Sequence, residues 1–393
     1  METRTLVALG AAICISVGAS ACGAAAFGSG GGGGDTIRIG SVNSLTGSVQ
    51  FPEVSEAAKA VFDRVNAQGG INGKKIEFMV QDDKGDPGSA SQAARLLVDE
   101  DNVVASAGSA SMVDCSANAA FYAQNNVKVV AGTGVDPACF NSSSISPVNT
   151  GPFLGYTSLL YYASEQLKAQ RVCAIILGLP GLTENYQKAV DRWSQMTGKK
   201  SALVDTSVTF GSDPTPAILA AKAAGCDAVA FNATEPTAVS FMNSVRQQGM
   251  LDSVKWLTLS SAYTDGELKS LQAQGTLGLY ANSEFLPYTS DNRALDDWRS
   301  LMTQAKVPLT SLSIGGYLSA EILVQALKDI KGDITRDSVS AALNSLTSYQ
   351  TPLMGTAYSF GSGSSHNPNQ ASMIAQATAQ GWQATSPDWV RLK

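Results

Sequence analysis

The sequence predicts an α/β protein of two doubly wound units, each a mostly parallel sheet covered by helices. Three observations carry that expectation. First, residues 103–134 read as one βαβ unit: apolar runs starting at Val103 and Val127 flank a stretch in which Val113, Ala117, Ala120 and Phe121 share one helical face. Second, both runs are continuously apolar rather than alternating, as expected of parallel strands covered on both sides. Third, strands and helices alternate regularly from about Gly155 to Phe285, which calls for a second sheet of the same kind. The strands of the first βαβ unit end in small and hydroxyl residues, Gly108, Ser109 and Ser111 after one and Gly132, Thr133 and Gly134 after the other. In open parallel sheets ligands sit beyond the carboxyl ends of the strands, where small residues expose backbone N–H groups and helix N-termini. These two loops are therefore the first candidate binding site.

Taken in order, Thr36–Val42 forms the first strand, with Ile37 and Ile39 alternating, and runs into the polar loop Asn43–Gly47. A helix from about Glu53 to Ala67 carries Val54, Ala58, Val61, Phe62 and Val65 on one face and breaks at Gly69-Gly70. Ile76, Phe78 and Val80 alternate along a second strand ending in Gln81-Asp82-Asp83, and Asp86-Pro87-Gly88 opens a helix that ends near Glu100. Asp82, Asp83 and Asp86 read as turn and capping residues, because no later glutamate completes a calcium loop. Gly151-Pro152-Phe153 marks a crossing to the second unit. There, strands at Val172–Leu177, Ala202–Phe210, Asp227–Phe231 and Val254–Leu259 alternate with helices that start at prolines such as Pro214 and Pro236. Tyr280–Phe285 leads to a second crossing at Leu286-Pro287. Helices near 292–305, 311–329 and 335–346 return to the first unit, and the closing segment 358–382 can supply a third crossing.

The first residues read as an export signal. Arg4 precedes an apolar run from Leu6 to Val17, shorter than the ~20 residues that span a bilayer, followed by small residues. Ala19-Ser20-Ala21-Cys22 resembles a bacterial lipobox, with Ala19 where a leucine is usual; cleavage after Ala21 without lipid is the alternative. Gly23–Gly34 forms a Gly-rich tether. Four cysteines remain for the exported part, Cys115, Cys139, Cys173 and Cys226. They allow three pairings. Their positions relative to the strands favour Cys115–Cys139 and Cys173–Cys226, with Cys173 and Cys226 as simple buried thiols the alternative reading.

Composition excludes several function classes. The 393 residues hold 27 Lys plus Arg against 33 Asp plus Glu, a net charge of −6, with no basic stripe for nucleic acid. The single histidine, His366, lies in a Gly/Ser loop that reads as solvated. With no Gly-x-Ser-x-Gly elbow, no P-loop and no His/Cys metal spacing, nothing activates a nucleophile, and neither cofactor nor metal is expected.

Several stretches bear a specific resemblance: Ile39–Gly47, Val65-Asn-Ala-Gln-Gly-Gly-Ile-Asn-Gly-Lys74, Gln81-Asp-Asp-Lys-Gly-Asp-Pro87, and the loops at Ser109–Ser111 and Thr133–Gly134. From Thr36 to about Trp382 the chain resembles a type I periplasmic solute-binding protein, of the branched-chain amino acid and amide-binding family that serves ABC importers. That resemblance implies two lobes joined by three crossover segments: 36–151 plus 287–360 as lobe 1, and 152–286 plus 361–393 as lobe 2, after a signal at 1–21 and a tether at 22–35. It implies an exported monomer, anchored through lipidated Cys22, that closes over a small organic solute and delivers it to a membrane permease.

The same resemblance implies a ligand set. Phe51, Ser109, Ser111, Thr133 and Gly134 match it in lobe 1, and the chemistry of the opposite strand-end loops adds Thr234, Glu235, Ser261 and Tyr263 from lobe 2. Where the family carries an acidic residue for the ligand's amino group, this chain has Ser260-Ser261-Ala262-Tyr263. Glu235 can replace it or can serve only as a charge at a helix N-terminus. Ser109, Ser111 and Thr133 can likewise be helix caps. Phe51 and Tyr263 can be core aromatics, although Tyr263, placed after a strand, is expected in the cleft. A ligand sensor for a membrane receptor is the alternative function, and an α/β enzyme a more distant one.

Overall fold

In a computed structural model the described residues are 36–47, 49–178 and 181–392. The signal, Cys22 and the tether lie outside them. Lobe 1 is built from β1 (Thr36–Asn43), α1 (Pro52–Ala67), β2 (Lys75–Asp82), α2 (Pro87–Arg95), β3 (Ala105–Ala110), α3 (Asp114–Gln124), β4 (Val129–Thr133), the short α4 (Pro137–Phe140) and β5 (Ile145–Pro147). Its five strands run in the order β2-β1-β3-β4-β5, and all pairs are parallel. β3 and β4 are buried along their whole length, as their continuous apolar and small-residue runs require.

Lobe 2 follows with α5 (Pro152–Tyr161), β6 (Val172–Ile175), α6 (Thr183–Thr197), β7 (Leu203–Asp205), α7 (Thr215–Ala223), β8 (Ala228–Phe231), α8 (Glu235–Gln247), β9 (Lys255–Thr258), α9 (Asp265–Gln274) and β10 (Tyr280–Ser283). The chain then returns through α10 (Asp296–Ala305), α11 (Ser311–Asp329) and α12 (Arg336–Ser345), which pack on α1, β3 and β4 of lobe 1. It ends with β11 (Ala371–Thr378), β12 (Gly381–Ala384) and β13 (Val390–Arg391). The second sheet runs β12-β11-β10-β9-β8-β6-β7; β11 joins it antiparallel to β10, and β13 pairs with β11. This is the doubly wound two-lobe architecture expected from the alternation. The predicted strand Ala202–Phe210 shrinks to three residues at the sheet edge, and the β5 strand, too short for any periodicity, was not legible.

Local chemistry sets the helix ends. Thr310 and Thr335 each form a reciprocal capping box, with Ser313 and Ser338, at the starts of α11 and α12. α11, 19 residues and nearly all buried, is the spine of lobe 1. It lies so close to α1 that a Cβ on Gly316 would stand 2.0 Å from the Val54 carbonyl oxygen, a contact only glycine permits. The core of lobe 2 is fixed by large aromatics: Phe231 stacks on Phe241 at 4.0 Å, and Trp193 and Trp256 are fully buried. One disulfide joins Cys115 in α3 to Cys139 in α4, and another joins Cys173 in β6 to Cys226 before β8. No described helix is long and apolar enough to cross a membrane.

Candidate functional site

The connections between lobes leave each sheet from its carboxyl edge. β5 ends at Pro147 and passes through 148–151 into α5, and β10 ends at Ser283 and passes through Glu284–Tyr288 back to lobe 1. Both carboxyl edges therefore face the gap between lobes. In each sheet the strand order reverses once, between β1 and β3 in lobe 1 and between β6 and β8 in lobe 2. Such switch points leave a crevice outside the strand ends. The described crevice residues are 44–47, 49–51 and Ser111–Val113 on one side, and Gly178 with the segment after Phe231 on the other. A cavity of about 220 Å³ lined by Leu177, Ser212, Pro214, Pro236 and Thr237 opens beside the second pair. Among the described residues, no hydrogen bond or ion pair joins the lobe 1 loops to those of lobe 2.

In lobe 1 the loops are organised by carboxylates. Asp83, fully buried, accepts from Ser44 Oγ at 2.7 Å, from the Gly85 N–H at 2.8 Å and from Ser111 Oγ. Asp82 accepts the N–H groups of Leu45 at 3.0 Å, Thr46 at 3.2 Å and Lys84 at 2.9 Å. Asp86 caps α2 through the Ser89 N–H. All three are thus the turn and capping residues their spacing suggested. Asp83 does more than cap, since it ties the loop after β1 to the loop after β3.

The predicted ligand residues divide. Ser109 and Thr133 are almost buried, and neither hydroxyl hydrogen-bonds to another described residue. Ser109 owes its position to a bulge: Gly108 takes φ +68°, donates its N–H to Ser319 Oγ at 2.8 Å, and the β3–β4 register shifts on either side of Ser109. Phe51 is half-buried at the start of α1, its N–H held by the Ser44 carbonyl at 2.9 Å. Ser111, by contrast, is a cap. Its Oγ donates to Asp83 and accepts the N–H groups of Val113 at 3.0 Å and Asp114 at 2.8 Å, which uses its full hydrogen-bonding capacity. Gly134 is also spoken for: Asn149 accepts its N–H at 2.8 Å and donates to its carbonyl at 3.1 Å.

On lobe 2, Thr234 stands at the N-cap of α8 without making a side-chain cap, and Glu235 begins that helix, accepting from Thr264 Oγ1. Ser261 is exposed and donates to the Ala233 carbonyl at 2.7 Å. Tyr263 departs from the expectation that it lines the cleft. It is 1% exposed, stands 4.7 Å from the Tyr288 ring and 5.1 Å from Trp382, and its hydroxyl pairs with Thr289 at 2.9 Å. An aromatic following a strand has the same local sequence whether it packs inward or outward; here β12 supplies the inward partner. His366 likewise is no solvated loop residue. It is 5% exposed, with Nδ1 2.9 Å from the Ile145 carbonyl, and burial lowers its pKa.

Three further side chains, Glu284, Asn369 and Asn232, shape the site without a signal in the sequence. Glu284 is buried in the second crossing, accepting from the Gly151 N–H at 2.8 Å and from Asn149 at 3.0 Å. Burial raises its pKa against those hydrogen bonds. Asn369, in the third crossing, donates to the carbonyls of Glu284 at 2.8 Å and Val148 at 3.3 Å. All three crossings are therefore cross-linked in one polar knot. Beneath the lobe 2 crevice, Asn232 clasps the Leu177 backbone, accepting its N–H at 2.7 Å and donating to its carbonyl at 3.1 Å.

Residues 36–382 match the family described as periplasmic binding protein. No curated protein matches the sequence. Solved structures share the fold. A possible leucine/isoleucine/valine-binding protein from Rhodopirellula baltica superimposes with a TM-score of 0.76 at 18% identity, over 89% of this chain and 96% of that one. A branched-chain amino acid transporter substrate-binding protein from Streptococcus pneumoniae, in complex with isoleucine, gives 0.73 at 16% identity, over 90% and 100%. An ABC transporter solute-binding protein from R. palustris, in complex with 4-hydroxybenzoate, gives 0.73 at 16% identity, over 90% and 96%.

Proposed function

The chain belongs to the periplasmic binding protein family, and from that premise we propose that it is the extracytoplasmic solute-binding component of an ABC importer. It captures one small organic solute, an amino acid, an amide or an organic acid, between lobes that close about the knot of Asn149, Glu284 and Asn369, and delivers it to a membrane permease. It catalyses nothing. The observation that carries this reading is the pair of switch-point crevices, one of which holds two hydroxyls, Ser109 and Thr133, that are unpartnered among the described residues. Attachment through Cys22 and a monomeric state belong to the same proposal.

Within the cleft, Ser109, Thr133 and Phe51 hold one end of the solute in lobe 1, and Thr234, Glu235 and Ser261 meet the other from lobe 2. Ser111 and Gly134 act from behind, by shaping the loops. Of the lobe 2 groups only Glu235 is ionisable, and it is half-buried and already accepts one hydrogen bond, from Thr264. An α-amino group therefore gains less here than where a free carboxylate waits for it, which favours amides and organic acids over α-amino acids. The reading as a sensor that reports occupancy to a membrane receptor uses the same cleft.

Thermal unfolding measured against a panel of amino acids, amides and organic acids tests the proposal, since a ligand that binds only the folded state raises stability by RT ln(1 + [L]/Kd). A stabilising solute should be recovered chemically unchanged. Its affinity should fall in a Ser109→Ala, Thr133→Val pair. An altered product, or an undiminished affinity in that pair, overturns the reading.

A further inference from the structure

A second cavity, of about 300 Å³, lies outside the crevice described above. None of Phe51, Ser109, Thr133, Thr234, Glu235 or Ser261 lines it. Its walls come from both lobes and two of the crossings: Phe140 of α4, Thr150 and Gly151 of the first crossing, Phe153 and Leu154 of α5, Asn367 of the third crossing, and the face of α6 that carries Lys188 and Arg192. Its volume is at the lower end of small-molecule sites, roughly 300–1,000 Å³.

The charge in this cavity is one-sided. Among the described residues no acidic side chain lines it, in a chain whose net charge is −6. Lys188 and Arg192 are four residues apart, so they project from the same face of α6. Both are solvent-exposed, and among the described residues neither forms an ion pair; Arg192 makes only a 3.4 Å contact with the Gln370 side-chain oxygen. The first turn of α5, whose Gly151 N-cap offers no side chain, adds uncapped backbone N–H groups to the same wall. Against these donors stands an apolar wall of Phe140, Phe153 and Leu154. Cations at one end and aromatic carbon at the other match a compact organic anion with an apolar body.

We propose that this hinge cavity is a second ligand site, for a small carboxylate with an apolar body, its carboxylate held by Lys188 and Arg192 and its body against Phe140 and Phe153. Because the walls belong to both lobes, an occupant contacts both sides of the crossings about which they turn. Occupancy then changes cleft affinity by the same factor by which a cleft ligand changes occupancy of the hinge.

The probe is 4-bromobenzoate, with uncharged 4-bromobenzamide as its control. Calorimetric titration of the purified protein should show 4-bromobenzoate binding at least tenfold more tightly than the amide. The exposed substitutions Lys188→Gln and Arg192→Gln, combined, should weaken the acid at least tenfold and leave the amide unchanged, since they remove charge-assisted contacts and no packing. Crystals soaked with the acid should place the anomalous signal of bromine between Phe140 and Phe153. Equal affinity for acid and amide, an unaltered affinity in the double variant, or bromine located between Ser109 and Thr234 would each overturn the proposal, the last by assigning the anion to the cleft.

Discussion

The two lobes share one plan, but two of their buried acids, Asp83 in lobe 1 and Glu267 in lobe 2, stand in opposite surroundings. In lobe 1, Asp83 is fully buried and every contact it makes is a hydrogen bond to a loop it holds in place. In lobe 2, Glu267 is as deeply buried in the first turn of α9, yet neither of its carboxylate oxygens has a hydrogen-bond partner. Burial, with Glu235 nearby, pushes its pKa up to about 9. What differs is the supply of donors, Ser44, Ser111 and the Gly85 N–H around Asp83 and none around Glu267. A buried carboxylate organises structure only where donors converge on it; elsewhere it is kept neutral by holding its proton.

The largest effects expected concern the disulfides, which test whether the two lobes are stapled to the same degree. The Cys173–Cys226 bridge closes a separation of 53 residues and the Cys115–Cys139 bridge one of 24. By chain entropy, removing the first as a Cys173→Ala, Cys226→Ala pair should cost about 4 kcal/mol and removing the second about 3.5 kcal/mol. Urea unfolding that reverses this order would show that native-state contacts, not loop length, set the difference.

Next comes Glu267. Its folded-state pKa lies above the unfolded value near 4.5, so the folded chain keeps a proton that the unfolded chain releases. Stability should therefore fall as pH climbs from about 4.5 towards about 9. Glu267→Gln, neutral throughout, should recover roughly 3 kcal/mol at pH 7 and flatten that slope. A parent and variant with parallel stability–pH profiles would break the contrast with lobe 1. Asp114 in lobe 1, pushed up from 3.8 to about 7 by burial against its bonds to Asn118 and Tyr122, should add a smaller loss that begins as pH rises past 3.8 and is complete above about 7, and that Asp114→Asn removes.

Asp83→Asn should cost roughly 2 kcal/mol, because an amide supplies one acceptor oxygen where two now serve Ser44, Gly85 and Ser111. Thermal denaturation checks it, and amide exchange should show the loosening confined to residues 44–47 and 111–114. An even loosening across the chain would mean that Asp83 supports the core rather than the rim. The smallest effect is on binding. With a solute identified as above, Ser109→Ala alone should weaken affinity about three- to tenfold for every ligand, whereas Glu235→Gln should change the ranking among ligands. A Ser109→Ala variant that changes the ranking instead would exchange the roles assigned to the two rims.

Much of the fold was legible because its signals are local. The α1 helix announces itself through Val54, Ala58, Val61 and Val65 at helical spacing and stops at Gly69-Gly70, and α8 starts next to the proline that predicted it. The candidate site was legible as a position, the loops after β3 and β4, but not as a set of roles. Ser109 and Ser111 are two residues apart with the same hydroxyl chemistry. One is left free and the other is consumed by Asp83.

The sequence by itself determined the alternation of strands and helices, the polar character of the strand-end loops and the crossing at Gly151-Pro152, because each depends on neighbours within a turn or a strand. Tertiary structure alone decided which strand-end hydroxyls are left without a partner and which groups tie the crossings together. Tyr263 met Trp382, His366 met the Ile145 carbonyl, and Glu284 met Asn149 and Asn369, partners 85 to 221 residues away in every case. The reason is physical: periodicity reports the face a residue occupies, while burial and donor supply are set by whatever distant segment the fold brings against it.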